Sequence, residues 1–298
     1  MNFKNKIKSK LFQLLCVVLG LVITCGVALS CDTDDAQTVT NFNRLTFHDE
    51  FNTPGPLNPE IWGFEIGNGV EQGIPGWGNN ELQYYTDRTE NAVIELDETT
   101  QEGYLKINAL QEDFEGFGYT SSRILTKGKF QQRYGRFEAR IKLPWGQGLW
   151  PAFWILGDDS DGAVWPQLGE IDMMENRGQE PTIINGSIHG PGYSGGGAIT
   201  KKYELENGRF DTDFHVFGVE WGPGYINYYV DDVLYNQITP ETLEDEGIDR
   251  SQWVFDNDRE FFIILNVAVG GNYPGNPDAN TVFPQTMYVD YVRAYAAD

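Results

Sequence analysis

The sequence predicts an all-β fold, an antiparallel β-sandwich or jelly roll. Three observations lead there. Apolar residues recur with a period of two along most of the chain. The chain's 34 glycines and 14 prolines punctuate those runs as turn signals. Only one short segment, after Thr239-Pro240, has helical character. Many short strands separated by Gly-rich turns build sandwiches and jelly rolls rather than helix-covered parallel sheets.

The strands follow in chain order. In YLKINAL, Leu105, Ile107 and Ala109 alternate with Lys106 and Asn108. In FEARIKL, Phe137, Ala139, Ile141 and Leu143 share one face, and Glu138, Arg140 and Lys142 the other. YINYYV and VLYNQI flank Asp231-Asp232, which predicts a two-residue hairpin turn. FFIILNVAV is apolar almost throughout from Phe261, as expected of a strand buried on both faces. YVDYVRAY supplies a last strand near the C-terminus. Residues 71–80 and 190–198 are Gly-rich loops placed to rim a cleft.

The first 31 residues read as a targeting segment. Lys4, Lys6, Lys8 and Lys10 precede an apolar stretch from Leu11 to Ser30, and Cys31 and a polar run follow. Small residues ahead of Cys31 suggest a lipoprotein cleavage site, with simple secretion or an uncleaved anchor as the other readings. The expected location is therefore exported, at the cell surface or outer membrane as a lipoprotein, or else secreted. Residues 32–44 read as a tether, and 45–298 as one domain without internal linker or repeat. All three cysteines (Cys16, Cys25, Cys31) lie in or beside the targeting segment. The domain thus has no disulfide and rests on its core.

The formal net charge is −23, and −27 without the four lysines of residues 1–30. So acidic a surface argues against nucleic acid or an anionic membrane as a partner and suits a neutral one. Any membrane contact is left to the N-terminal anchor, and the expected oligomeric state is a monomer. Aromatic residues make up 14% of the chain, with 8 Trp and 15 Tyr. Such rings serve strand cores and sugar-stacking platforms alike.

GEIDMMEN, residues 169–176, is the most informative segment. On a strand, Glu170 and Asp172 point the same way, while Glu175, five residues from Glu170, points away. One extra residue in a β-bulge at Met173 or Met174 returns Glu175 to the same face. Ile171, Met173 and Met174 then pack behind the sheet. Retaining glycosidases need two carboxyls about 5–5.5 Å apart, one to attack the anomeric carbon and one to protonate the leaving oxygen. A neighbouring carboxylate raises the acid's pKa, because two close negative charges are costly. Asp172, between the two, is placed to share a proton with the nucleophile. A solvated acidic edge or a calcium site competes with this reading. Acids alternating with Ile and Met indicate a strand rather than a calcium loop.

Aromatic and polar candidates gather around the cluster. Trp150 and Trp154 lie upstream in LWPAFWILG, four apart and so on one strand face, and Trp165 precedes the acids. GWGNNELQYYT offers Trp77, Asn79, Asn80 and Glu81 in a loop. Arg123 and Asn266 complete the candidate substrate contacts. His189, one of 3 histidines, is expected as a neutral imidazole beside Glu175. Core packing is the competing role for each Trp, and a structural hydrogen bond for the His.

These segments together resemble glycoside hydrolase family 16, in its laminarinase-type members that cleave β-1,3-glucans. The resemblance runs through the domain: FHDEF, GWGNNELQYYT, YGRFEARIKLP, LWPAFWILG, GEIDMMEN, FHVFGVEW, FFIILNVAVGGNYPG and VDYVRAY. It implies a jelly roll of two curved sheets with an open substrate cleft on the concave side, and retention of anomeric configuration. It implies Glu170 as nucleophile, Asp172 as assisting carboxylate and Glu175 as acid/base, with no cofactor in the reaction. The bulged spacing resembles that of laminarinases, agarases and carrageenases rather than lichenases. Mixed-linkage β-1,3-1,4-glucan is a further possible substrate. Many relatives hold a structural calcium, whose ligands match Glu50, the backbone near Gly103, and Asp290. The chain departs from many laminarinases at Tyr273, where they carry Trp. Two other readings are a surface glycan-binding lipoprotein and a hydrolase or transglycosylase of another polysaccharide such as a galactan.

Overall fold

The computed structural model describes residues 41–298. The targeting segment, Cys31 and most of the tether fall outside the described residues. Arg44, assigned to the tether, is the first residue of a strand, where it pairs with Ala296.

Seventeen strands run through the described residues. They are β1 (Arg44–Asp49), β2 (Gly63–Glu65), β3 (Gln83–Tyr85), β4 (Ala92–Leu96), β5 (Gly103–Phe114) and β6 (Phe117–Ser121). Next come β7 (Arg123–Leu125), β8 (Gly135–Lys142), β9 (Leu149–Gly157), β10 (Glu170–Glu175), β11 (Ile183–His189) and β12 (Ile199–Glu204). The last are β13 (His215–Gly222), β14 (Tyr225–Val230), β15 (Val233–Ile238), β16 (Phe261–Val269) and β17 (Gln285–Ala296). The expected short helix is α1 (Pro240–Asp245), where the Thr239 N–H donates to Thr242 Oγ1 at 3.1 Å and Leu243 anchors in the core.

The strands form a jelly roll of two sheets. A ten-stranded sheet runs β15-β14-β13-β8-β17-β5-β6-β3, with β1 added to β17 and β4 to β5. A seven-stranded sheet runs β12-β11-β10-β9-β16-β7-β2. All pairs are antiparallel except β3 with β6, which pair in parallel from Gln83↔Tyr119 to Tyr85↔Ser121. That departs from the wholly antiparallel expectation. Strands β4 and β5 intervene between the two, and such a crossover is what parallel pairing requires.

One core fills the space between the sheets. Leu105, Ile107, Phe137, Ala139 and Ile141 meet Phe153, Ile155, Ile171, Phe261, Ile263 and Leu265, all fully enclosed. Each large apolar side chain buried this way contributes roughly 1.5–3 kcal/mol. All nine residues of β16 are buried, as its apolar run predicts. Its inward face joins that core. Phe262 and Ile264 face the other way and, with Leu125, Trp154 and Leu156, form a second apolar floor on the outer face of the seven-stranded sheet. The β14–β15 hairpin turns at Asp231 and Asp232 with φ of 50° and 62°, the backbone that a two-residue I′ turn demands.

Candidate active site

The acids stand on β10, and its register places them. Asp172 pairs with Trp154 on β9, Met174 with Phe153 and Glu175 with Ala152, so Met173 is the extra residue. On the other side Asp172 pairs with Ser187 and Glu175 with Asn185. The bulge lies where the spacing requires it. Met173 and Met174 are both fully buried in the inter-sheet core. The bulge therefore turns Glu175 onto the outer face while the two Met side chains anchor the strand behind it.

Cross-strand partners share a face, so register alone assembles the site. Glu170 lies opposite Leu156 and His189, and Asp172 opposite Trp154 and Ser187. Ala152, opposite Glu175, also faces Asn266, which faces Arg123. Trp150, Trp154, Arg123, His189 and Asn266 thus all join the three carboxylates. Trp165 arrives from the preceding loop.

Each carboxylate has a distinct setting. Glu170 Oε2 accepts from Trp165 Nε1 at 2.7 Å, and its side chain keeps 16% exposure. Asp172 is enclosed. Burial first, then the charges of Glu170 and Glu175, push its pKa well up. Glu175 Oε1 accepts from Trp150 Nε1 at 3.0 Å, and Ser187 Oγ lies 3.5 Å from Oε2. Burial outweighs these hydrogen bonds and raises the Glu175 pKa to about 7. One strand therefore carries two glutamates with different partners, Glu170 bonded by Trp165 and Glu175 by Trp150 with its pKa raised, as acid–base division of labour requires.

His189 sits beside Asp172 and Glu170 rather than Glu175. Its Nε2 is 3.0 Å from Asp172 Oδ2 and 3.8 Å from Glu170 Oε1. Burial disfavours its charged form, but the surrounding carboxylates outweigh burial and draw its pKa up to about 10. Against this, the Gly195 N–H donates to Nδ1 at 3.0 Å. That bond occupies the lone pair a second proton would need. The ring therefore sits between two opposing influences, the carboxylates on its Nε2 side favouring the charged form and the Gly195 N–H on its Nδ1 side opposing it. Glu170, Asp172 and His189 offer ligand atoms within 4.8 Å of one another, the one such cluster among the described residues. The Asp172–His189 contact already engages two of its members.

A hydrogen-bonded chain supports the cleft floor. Trp154 Nε1 donates to Asn266 Oδ1 at 2.8 Å, and Asn266 Nδ2 donates to Tyr85 OH at 3.1 Å. Glu81 Oε2 accepts from Gln83 Nε2 at 2.7 Å and Tyr85 OH at 3.5 Å. Burial raises the Glu81 pKa despite these donors. Arg123 lies 4.6 Å from the Trp77 ring and 4.7 Å from the Trp154 ring, with its Nε 2.6 Å from Glu65 Oε2. Trp77 adopts φ 52°, a left-handed backbone rare for a bulky side chain. Its ring is buried against Arg123 and Tyr85.

The family profile for Glycosyl hydrolases family 16 matches residues 72–286. The chain belongs to glycoside hydrolase family 16. The "Beta-glucanase" of Rhodothermus marinus is 38% identical over 96% of this chain and 96% of its own length. The endo-β-1,3-glucanase of Pyrococcus furiosus is 50% identical, superposes with a TM-score of 0.77, and is matched over 86% of this chain and 95% of its own. The laminarinase catalytic domain of Thermotoga petrophila is 46% identical with a TM-score of 0.78, over 87% of this chain and all of its own.

Within this family 16 fold, Asn79, Asn80 and Glu81 are occupied in holding loops. Asn80 Nδ2 donates to Asn272 Oδ1 at 2.9 Å, and Asn79 Nδ2 to Glu81 Oε1 at 3.2 Å. They tie the 75–82 loop to the 270–276 loop. Tyr273 on the latter packs its ring 4.9 Å from Trp150, its hydroxyl bonds Asn185, and Arg177 covers its ring at 4.5 Å. A tyrosine thus walls the cleft beside the Glu175 partner Trp150.

The calcium candidates converge in register but not through free carboxylates. Val289 pairs with Leu105 and Asp49 with Val292, which sets Asp290, Gly103 and Glu50 in one neighbourhood. A Cβ on Gly103 would meet the Phe51 carbonyl at 2.1 Å, so the backbones approach as only glycine allows. Both Glu50 oxygens accept from Arg293 at 2.7 and 2.9 Å, and Asp290 Oδ2 from Arg140 at 2.7 Å. Arg293 lowers the Glu50 pKa. The Glu50 side chain is therefore committed elsewhere. Backbone carbonyls and the remaining Asp290 oxygen are the donors that fit a hard cation.

Proposed function

We propose that this chain hydrolyses internal β-1,3-linkages of laminarin-type glucan with retention, and that mixed-linkage β-1,3-1,4-glucan is a further substrate. The observation that carries the reading is the bulged β10. It presents Glu170 and Glu175 on one face in two different environments, in a chain whose relatives include enzymes named for β-1,3-glucan.

Glu170 attacks the anomeric carbon while Glu175 gives its proton to the glycosidic oxygen, and the reducing-end fragment leaves. Glu175, now ionised, takes a proton from water, which attacks the glycosyl–Glu170 ester and regenerates the acid. Trp165 orients the nucleophile by its 2.7 Å hydrogen bond. Asp172 moves a proton locally and limits charge build-up beside Glu170. No cofactor takes part. Trp150, Trp154 and Trp165 offer rings for the apolar faces of sugars.

Charge supports a neutral substrate. Arg123 is paired with Glu65, and Arg136 with Glu138, Glu220 and Asp232. Neither arginine supplies the unpaired cation that a sulfated galactan would require. Reducing-end release from laminarin, lichenan, agarose and carrageenan tests this. We expect release from laminarin, with lichenan second. Activity on a galactan alone would keep the chemistry and overturn the substrate. Binding without release would favour a glycan-capturing protein.

Two further proposals concern the chain around the site. A structural calcium held by the Glu50 and Gly103 carbonyls and Asp290 would stabilise the fold without entering the chemistry. Chelation should then lower Tm by several degrees, with recovery on adding Ca²⁺, whereas an unchanged Tm would remove the ion. The N-terminus should be cleaved and lipidated at Cys31, placing the enzyme on an exported surface. Mass spectrometry of the mature N-terminus should find diacylglyceryl cysteine, and an unmodified terminus would indicate simple secretion.

A further inference from the structure

A second candidate sugar site lies on the other face of the sandwich. Ile141 and Leu143 point into the core, so Lys142 points outward from the ten-stranded sheet, opposite its partner Tyr288 on β17. At that end of the sheet Lys142, Trp145, Asp211, Gln285, Thr286 and Tyr288 line an open cavity of about 240 Å³. The catalytic carboxylates occupy the outer face of the seven-stranded sheet, across the core from it.

The cavity has the parts that hold a sugar ring. Trp145 is 45% exposed and lines the cavity, where its indole is open to a ligand. Trp145 is tethered through its backbone and flanked by a cation. Its backbone N–H donates to Gln285 Oε1 at 3.1 Å, and the Arg209 guanidinium lies 5.3 Å from the indole. Lys142 Nζ lies 4.5 Å from the Tyr288 ring. Around the rings stand a carboxylate (Asp211), an amide (Gln285), a hydroxyl (Thr286) and an ammonium (Lys142). An aromatic plane bordered by a few fixed polar groups is the usual make-up of a site for a ligand with apolar faces and hydroxyl edges.

The charges favour a neutral ligand. Asp211 is neutralised by Arg209, whose Nε and Nη2 donate to it at 2.8 and 2.9 Å. One ammonium remains and is spent on Tyr288. The volume falls below the roughly 300–1,000 Å³ of sites for drug-sized molecules. It suits one or two rings of a longer chain.

We propose that this cavity is a non-catalytic surface site for neutral β-glucan, with Trp145 as its stacking platform. The ligand assignment rests on the substrate proposed for the cleft. The site's function is to hold the enzyme on insoluble or long-chain glucan while the cleft on the opposite face cuts. Linking two weak sites on one substrate raises apparent affinity without any change in the catalytic contacts.

The test compares wild type, Trp145→Ala and Trp145→Phe on insoluble β-1,3-glucan particles and on a soluble laminarihexaose. Trp145→Ala should keep kcat/KM on the hexaose within twofold, while binding to particles falls about fivefold to tenfold. Trp145→Phe should recover part of the binding. Pull-down is repeated in a Glu170→Gln background, where cleavage no longer releases the enzyme from the particles. Retention should then depend on Trp145. Equal retention of wild type and Trp145→Ala on the particles would overturn the site. So would equal losses on particle and hexaose, which would indicate an effect on the cleft or fold. If wild type cuts no β-1,3-glucan, the substrate reading fails by itself. The same comparison on whichever neutral polysaccharide wild type does bind then decides the site separately.

Discussion

Glu170→Gln should lower hydrolysis of laminarin by at least about 10⁴-fold while leaving binding within a few-fold of wild type. The amide matches the carboxylate in shape and still accepts a hydrogen bond from Trp165. It cannot form the glycosyl ester. Only nucleophilic chemistry is removed, so kcat falls and dissociation constants for oligosaccharides barely move. A variant with near wild-type turnover would show that the reaction does not pass through Glu170.

The second large effect concerns Glu175 and pH. The acid must carry a proton when the substrate binds, and burial holds its pKa at about 7, above the ordinary 4.5. The protonated fraction is nearly complete below pH 6 and falls as pH rises through 7. The alkaline limb of kcat/KM should therefore show an apparent pKa near 7. Glu175→Gln should remove that limb and cost about 10²–10⁴-fold on laminarin. The cost should be much smaller on an aryl glycoside whose leaving group needs no proton. An alkaline limb that persists in Glu175→Gln would assign the acid to another group.

Much of this was legible in the sequence because the relevant signals are local. The period of two along β5, β8 and β17 separates core from surface without knowledge of partners. The offset of five between Glu170 and Glu175 requires one extra residue, and the bulge at Met173 supplies it. The apolar run of β16 marks a strand buried on both faces, and burial bears this out.

What the sequence hid depends on distant pairings. Tyr85 and Asn266 are 181 residues apart, yet their hydrogen bond links β3 to the indole of Trp154. Nothing near either residue announces it. The loop residues Asn79, Asn80 and Glu81 look like sugar ligands from composition, but the fold engages them with one another, with Gln83 and with Asn272. His189 was expected beside Glu175. The β10–β11 register sets it opposite Glu170, within reach of Asp172, and that register depends on which side of the bulge β11 follows. The Glu50 carboxylate meets Arg293, 243 residues away, which leaves only its backbone carbonyl for the proposed calcium. The parallel β3–β6 pair likewise follows from a crossover that strand patterns do not encode.

In the proposed mechanism Glu170 forms a covalent bond to the sugar while Glu175 handles the proton. The most direct measurement traps that bond. The enzyme is incubated with a 2-deoxy-2-fluoro-β-laminaribiosyl fluoride, whose fluorine slows breakdown of the intermediate, then digested and analysed by mass spectrometry. One added glycosyl group is expected, on the peptide containing GEIDMMEN, with fragmentation placing it on Glu170. A label on Glu175 or Asp172, or no label with inversion at the anomeric carbon, would contradict the mechanism.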